Sequence, residues 1–309
     1  MYQTISTKNM SREEWLRLRK TGLGGSDAGA VCGLNPYTSP MGVYKDKTSE
    51  EISDTDKESM RQGRDLEDYV AQRFMEATGF KVRRSHKMYR SKEFPFMLAD
   101  VDRMIDGQNA GLECKTCSAF QADKWKDGQI PAHYMLQCFH YMAVTGKREW
   151  YIAVVILGQD FQYRRIQWDD GIIQQLIAME AEFWNGHVLS KIIPEPDGSQ
   201  VSTEVLEQYF HTARKNSQIP LVGFDEKLQR REMLVRLMAE METERKKIEQ
   251  EIQLFMQDHE LAVNDKYRVS WANVETSRLD TKRIKAERPE IYQEFLKTGS
   301  SRRFTIKAA

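Results

Sequence analysis

Apolar residues recur along the chain with two different spacings, and each spacing predicts one kind of element. Helices are predicted where apolar residues lie three and four positions apart, over 11–20, 59–79, 132–145 and 169–184. Strands are predicted where apolar residues alternate or form short runs, over 81–84, 88–90, 96–103, 111–118, 150–157 and 161–166. This order of elements predicts an α/β (α+β) fold in which helices flank a mixed central sheet.

Residues with capping preferences mark where several of these helices begin and end. Ser11 and Glu14 predict a capping box at the start of the first helix, and Gly79 predicts the end of the second. A glycine-rich turn precedes Ser26 and Asp27, either of which is predicted to cap a further helix.

Proline and glycine cluster at 194–199, which predicts a linker, and the acidic stretch 48–57 lacks apolar periodicity and predicts an exposed loop. The predicted parts are a core over 1–193, a linker and helix over 194–221, and a C-terminal extension over 222–309. The extension is predicted to be a helical arm with a small β-hairpin. Its predicted elements are helices over 225–259 and 281–297 and a strand at 269–271 paired with the tail 302–307.

Charge and hydropathy exclude some classes of protein. The 309 residues include 46 Lys and Arg and 46 Asp and Glu, so the formal net charge is zero and the chain does not coat nucleic acid by bulk charge. A local basic groove would still be enough to hold phosphates. Mean hydropathy is −0.65 and no apolar run approaches the ~20 residues of a membrane span, so we expect a cytoplasmic protein without a membrane partner.

Common nucleotide, nucleophile and metal motifs do not explain this chain. Its sequence contains no P-loop and no nucleophile elbow, and its six histidines lack ligand spacing. Cys114 and Cys117 form a C-x-x-C pair, but a strand there would point the two sulfurs to opposite faces. We therefore expect reduced cysteines and neither a zinc site nor an iron–sulfur cluster.

Two carboxylates are predicted to face each other across a hairpin. The dipeptide Asp106-Gly107 predicts the turn, and a turn at Gly107-Gln108 places Asp102 opposite Glu113. Like charges in that position are destabilising, whereas a divalent cation between them would remove the repulsion. Lys115 lies on the same strand face as Glu113. Two carboxylates and a lysine in this arrangement predict a Mg²⁺ site for phosphodiester hydrolysis, in which Mn²⁺ can replace Mg²⁺. The alternative is a surface hairpin with scattered charges.

Neighbouring polar residues favour the site over that alternative. Glu67 falls on the inward side of its helix, and Gln137 shares an inward stripe with Tyr134, so both are expected to need polar partners. Arg19, Ser26 and the glycines between them form an anion-binding candidate, because backbone N–H groups of such a turn favour phosphate.

Short motifs in a fixed order resemble one family. They are W-L-R-L-R-x-x-G-L-G-G-S (15–26), G-L-N-P-Y (33–37), M-R-Q-G-R-D-L-E (60–67), A-D-V-D-R (99–103), G-L-E-C-K (111–115) and Y-M-L-Q (134–137). The set resembles the YqaJ-like viral recombinase family, relatives of phage lambda exonuclease within the PD-(D/E)xK nuclease superfamily. The resemblance implies a PD-(D/E)xK restriction-endonuclease-like core over 1–193.

The resemblance also implies an activity and partners. It implies a phage- or prophage-encoded 5′-to-3′ exonuclease in a bacterial host. Such an enzyme degrades linear double-stranded DNA and leaves single-stranded tails for an annealing protein. It further implies a homo-oligomer, a trimer in lambda exonuclease. The alternatives are an endonuclease on the same core, a catalytically silent DNA-binding module, and a coiled-coil interaction protein.

The resemblance assigns roles to residues of the predicted site. It implies that Asp102, Glu113 and the backbone carbonyl of Cys114 bind the metal, that Glu67 supports the metal site, and that Lys115 positions the attacking water. Tyr134 and Gln137 would support these groups, and Arg19 and Ser26 would face the phosphate end of the DNA. Two departures stand out: residues 35–39 lack the arginine that helps lambda exonuclease hold a 5′-phosphate, and Asp100 adds a second aspartate to the first catalytic strand.

Overall fold

The computed structural model describes residues 2–52, 57–299 and 301–307, so residues 53–56 of the predicted loop over 48–57 lie outside the described residues. The chain divides into two compact units, Met1–His211 and Thr212–Ala309. Within the described ranges, no helix combines the length and the apolar character needed to cross a membrane.

The first unit contains two sheets and the helices around them. Its strands are β1 (Tyr2–Ser6), β2 (Leu23–Gly24), β3 (Val82–Arg84), β4 (Lys87–Ser91), β5 (Met97–Asp100), β6 (Arg103–Ile105), β7 (Ala110–Cys117), β8 (Glu149–Ile156) and β9 (Asp160–Gln167). Its α-helices are α1 (Arg12–Lys20), α2 (Gly25–Val31), α3 (Pro40–Thr48), α4 (Glu58–Thr78), α5 (Ala132–Thr145), α6 (Asp170–Phe183) and α7 (Gln200–Tyr209). A 3₁₀ segment, Ala119–Gly128, follows β7, and a π-helical segment, Trp184–Leu189, follows α6.

The larger sheet has five strands in the order β3-β6-β7-β8-β9. Strands β7 and β8 run parallel, whereas the other neighbours in this sheet are antiparallel, so the sheet is mixed as predicted. Trp150 on β8 lies against Gly111, where a Cβ atom would approach the indole ring to 2.4 Å, and this close approach requires a glycine in β7.

The predicted strand over 96–103 is wrong as one element, because its two halves belong to different sheets. Strand β5 joins the four-stranded sheet β1-β4-β5-β2, where it pairs with β4 and, in parallel, with the short β2. The chain then passes through Val101 and Asp102 into β6 of the larger sheet. The apolar pattern over 96–103 is continuous, but its two halves pair with different strands that are distant in sequence, and the segment therefore forms two strands.

Helices α4 and α5 bury apolar side chains against different faces of the larger sheet. Val70 and Phe74 of α4 belong to one core cluster with Leu112 of β7. Cys138 and Met142 of α5 belong to another, with Cys117 of β7 and alternate residues of β8. Because side chains alternate along a strand, Glu113 and Lys115 lie on the face opposite to Leu112 and Cys114.

Most predicted helix ends agree with the structure. The capping box of Ser11 and Glu14 begins α1, and Gly79 ends α4 in the left-handed conformation with φ of 73°. The helix after the glycine-rich turn begins differently, because Gly24 is its N-cap and Asp27 accepts a hydrogen bond from the Gly24 N–H at 2.9 Å. The prediction that Ser26 or Asp27 caps α2 is therefore wrong.

The second unit contains α8 (Asp225–Met256), β10 (Leu261–Val263), β11 (Arg268–Ser270), α9 (Thr281–Glu287) and α10 (Pro289–Glu294). The predicted pairing of the tail 302–307 with a strand is wrong, because β11 pairs with β10 instead. The side chain of Asn264 accepts hydrogen bonds from the N–H groups of Lys266 and Tyr267 and forms a local turn that joins the two strands. The predicted helix over 281–297 is divided at Pro289.

Candidate active site

The two predicted carboxylates lie together where the sheets meet. Arg103 pairs with Leu112, and this register brings Asp102 beside β7 as the sequence predicts. Asp102 Oδ2 accepts a hydrogen bond from the Cys114 N–H at 2.7 Å. Glu113 is only 2% exposed; its Oε1 accepts hydrogen bonds from Lys115 and Gln137, whereas its buried Oε2 has no hydrogen-bond partner.

The electrostatics of this pair are unfavourable in the absence of a cation. Burial raises the pKa of Asp102 well above its ordinary value, and the negative charges of Glu113 and Glu67 raise it further, against the effect of Lys115. A buried carboxylate oxygen without a partner, beside the half-buried carboxylate of Asp102, is a donor set that suits a hard divalent cation. The residues present therefore fit a metal such as Mg²⁺.

Lys115 is held on three sides. Its ammonium donates to Glu113 Oε1 at 2.6 Å and to Gln137 Oε1 at 3.1 Å, and it lies 4.6 Å from the ring centroid of Tyr134. Although burial opposes a charged lysine, Glu113 and Asp102 outweigh it and raise the Lys115 pKa, so the ammonium stays protonated. The structure thus brings together the predicted residues Lys115, Gln137 and Tyr134.

Gln137 links this lysine to a tyrosine that the sequence analysis did not single out. Its Nε2 donates to Glu113 Oε1 at 2.7 Å and to the hydroxyl of Tyr141 at 2.8 Å. A Cβ atom at Gly25 would lie 2.4 Å from the Tyr141 ring, so a glycine there lets α2 approach α5 closely. The signal for Tyr141 was its position four residues after Gln137 on the same helix face.

Glu67 reaches the site from α4 but is engaged by arginines. Its Oε1 accepts hydrogen bonds from Arg103 and Arg84, and Arg103 is itself only 3% exposed. Throughout the ranges that the structure describes, no group of three or more His, Cys, Asp or Glu side chains is placed to hold a metal ion. The predicted metal site therefore depends on Asp102, Glu113 and a backbone oxygen, with Glu67 supplying negative charge nearby.

The predicted phosphate-binding residues line the same cleft as the carboxylates. This cleft is lined by residues that include Arg19, Ser26, Asp100, Asp102, Glu113 and Gln137. Arg19 Nη2 donates to Ser26 Oγ at 2.9 Å, so the two residues are in direct contact. Trp15, which the sequence analysis did not assign to the site, lies against the Arg19 guanidinium and donates its indole N–H to Asp100 at 2.8 Å. The cleft therefore combines a cationic end with an anionic end.

The raised Asp102 pKa predicts a pH-dependent stability in the absence of divalent metal. Between the ordinary pKa of 3.8 and the raised one, the folded chain holds a proton that the unfolded chain has lost. Stability is therefore lost as the pH rises through this window. Asp102→Asn should remove this loss, so in EDTA at pH 8 the variant should melt at a higher temperature than the wild type. If the melting temperatures of the two proteins change by the same amount between pH 4 and pH 8, the expectation is contradicted.

Comparison with a solved structure shows which fold this chain shares. The chain is similar to the crystal structure of an alkaline exonuclease (LHK-Exo) from Laribacter hongkongensis, with a TM-score of 0.50 and 18% identity over 58% of this chain and 94% of that one. The structure of LHK-Exo in complex with dAMP matches with a TM-score of 0.49 and 19% identity over 64% of this chain and 98% of that one. The likeness to the first of these structures and the mixed sheet flanked by helices confirm the predicted fold class.

Sequence comparison identifies the family. Residues 14–148 match the YqaJ-like viral recombinase domain. The YqaJ protein of Bacillus subtilis (strain 168) is 38% identical over 302 residues, which cover 96% of this chain and 95% of that protein. The chain belongs to the YqaJ-like viral recombinase family, and the resemblance drawn from the short motifs is confirmed.

Proposed function

We propose that this chain is a metal-dependent exonuclease that degrades linear double-stranded DNA from the 5′ end towards the 3′ end. One observation carries the proposal: the buried Glu113 carboxylate keeps one oxygen unpartnered beside Asp102, in a cleft that also presents Arg19. Membership of a viral recombinase family and the fold of an alkaline exonuclease support it. The single-stranded tails would serve phage-type homologous recombination by strand annealing in the cytoplasm of a bacterial host.

Asp102, Glu113 and the carbonyl of Cys114 would hold Mg²⁺, or Mn²⁺ in its place. When bound, the cation would supply Lewis-acid activation of the phosphate and charge neutralisation. Lys115 presents an ammonium whose position is fixed by Glu113, Gln137 and the Tyr134 ring. That ammonium orients the attacking water and stabilises negative charge that develops on the phosphate.

Arg19 and Ser26 would bind a phosphate of the DNA end. A guanidinium offers several N–H donors to phosphate oxygens, and contact with Ser26 and Trp15 fixes its orientation on the rim of the cleft. A phosphate held there places the adjoining strand along the cleft that contains the carboxylates. A preference of this position for the terminal phosphate would direct attack to a strand end and leave a closed circle intact.

The decisive experiment is digestion of a linear duplex labelled at one 5′ end, beside a closed circular plasmid, with Mg²⁺ or with EDTA. We expect early release of labelled mononucleotide from the linear duplex, only with Mg²⁺, while the circle stays intact. Cleavage of the circle would instead indicate an endonuclease. Binding without cleavage of either substrate would indicate a DNA-binding module.

We also propose that the exonuclease acts as a homo-oligomer, a trimer, and hands its single-stranded product to an annealing protein. The resemblance of the short motifs to lambda exonuclease supports the trimer, and membership of a viral recombinase family supports the annealing partner. Analytical ultracentrifugation of the full chain measures the oligomeric state directly. A chain that remains monomeric at the concentrations at which it digests long duplexes would contradict the proposed assembly.

A further inference from the structure

A fully buried lysine lies behind the cationic end of the cleft. The Lys47 side chain, near the end of α3, has no exposed surface. Its ammonium lies 2.8 Å from Asp27 Oδ2 and 3.1 Å from Asp46 Oδ2, and it donates to the Arg19 carbonyl at 3.3 Å. Removing an ammonium from water is costly, and apolar residues of similar size often stabilise a fold as well as a buried ion pair does. The pair of Lys47 and Asp27 is therefore weak evidence of a purely stabilising role.

Asp27 occupies a position where it could compete with DNA for Arg19. The carboxylate oxygen that contacts Lys47 also accepts the Gly24 N–H at 2.9 Å. An added Cβ atom on Gly24 would lie 3.7 Å from Asp27 Oδ2 and 3.9 Å from Arg19 Nη2, so the carboxylate and the guanidinium both approach this one point. Burial opposes ionisation of Asp27, but the charges of Lys47 and then Arg19 outweigh it and hold the Asp27 pKa below its ordinary value.

We propose that Lys47 is a positioning residue that neutralises Asp27 and thereby leaves the Arg19 guanidinium available to a phosphate of the DNA end. With Lys47 present, Asp27 has a nearer cation, and Arg19 Nη2 donates to Ser26 on the cleft surface. Without Lys47, the uncompensated Asp27 carboxylate attracts Arg19 and repels phosphate. This inference rests on the proposed function of the cleft.

Two opposite changes of charge distinguish this role from simple support of the fold. In Lys47→Met the carboxylate of Asp27 is left without its cation, so KM for a linear duplex should rise about tenfold, ~1.4 kcal/mol, while kcat stays within about twofold. In the double variant Asp27→Asn/Lys47→Met the negative charge is also removed, so KM should return to within about threefold of the wild type. Lys47→Arg, which keeps the charge, should resemble the wild type.

Lys45→Met is the matched control, because Lys45 lies on the same helix and its ammonium contacts Gln208 rather than Asp27. Binding is measured in parallel by fluorescence anisotropy of a labelled 30-base-pair duplex with Ca²⁺ in place of Mg²⁺, and Kd should follow the same order as KM. Circular dichroism checks that each variant is folded; if Lys47→Met does not fold, Lys47→Gln takes its place.

Three results would overturn the inference. Unchanged KM and Kd in Lys47→Met would show that Asp27 does not compete for Arg19. A double variant as impaired as Lys47→Met would show that Lys47 only supports the fold. A wild-type chain that neither binds nor cuts linear DNA would contradict the proposed function itself, and this inference with it.

Discussion

Lys115→Ala is expected to lower cleavage of linear duplex DNA at least ~100-fold, about 3 kcal/mol of activation free energy, while Kd for the duplex stays within about threefold. The ammonium lies between Glu113 and Gln137, and the proposed function assigns to it the stabilisation of charge on the reacting phosphate. DNA binding is expected to depend mainly on other groups, including Arg19, so removal of this one cation should affect the chemical step. Single-turnover digestion and anisotropy measure the two quantities separately.

Lys81→Ala provides the control, because Lys81 is exposed and precedes the edge strand β3. It should cut DNA at the wild-type rate. Retention of more than about a tenth of the wild-type cleavage rate by Lys115→Ala would contradict the assignment of the site, since loss of one charge-stabilising group costs at least 100-fold in comparable sites.

Glu113→Gln is expected to lower cleavage at least as strongly, because it removes the negative charge of a predicted metal ligand and keeps the side chain's shape. Glutamine can still accept hydrogen bonds from Lys115 and Gln137 through one oxygen, so the local packing is retained. The like-charge repulsion with Asp102 also disappears. The substitution also weakens the ion pair with Lys115, which keeps Asp102 as a counter-ion, so the two effects oppose each other and we expect an inactive protein that still folds in EDTA.

Thermal melting with and without Mg²⁺ separates loss of the metal from loss of the fold. Mg²⁺ should raise the melting temperature of the wild type, because a ligand that binds only the folded state stabilises it, and it should leave Glu113→Gln unchanged. An Mg²⁺-dependent shift of equal size in both proteins would show that the ion binds elsewhere. Glu149→Gln, on β8 and paired with Arg165, is the matched control and should respond like the wild type.

The central part of the candidate site could be predicted because its residues are close in sequence. The Asp106-Gly107 turn and the two-residue period of a strand together determine which side chains of β7 share a face with Glu113. The helix period likewise puts Tyr134 and Gln137 on the inward side of α5. These are local rules, and the register of β6 against β7 agrees with them.

The rest of the site depends on contacts between distant segments, which local patterns do not encode. The break between β5 and β6 arises because β5 pairs with β2 and β4, neither of which the pattern over 96–103 can indicate. Helix α3 was missed although Ser39 and Pro40 are typical of a helix start, because its apolar face is short. With it the sequence analysis missed Lys47, whose partner Asp27 is 20 positions away along the chain.

The passage of the chain from one sheet to the other at Asp102 has a consequence for a cell that makes a DNA-degrading enzyme. Arg19 and Ser26 adjoin β2, in the smaller sheet, whereas Glu113 and Lys115 belong to the larger one. The complete cleft therefore exists only when the two sheets have docked. If the proposed function holds, a nascent or partly unfolded chain cannot cut DNA, and activity against the DNA of the cell that makes it arises only once both sheets of the first unit have formed and docked.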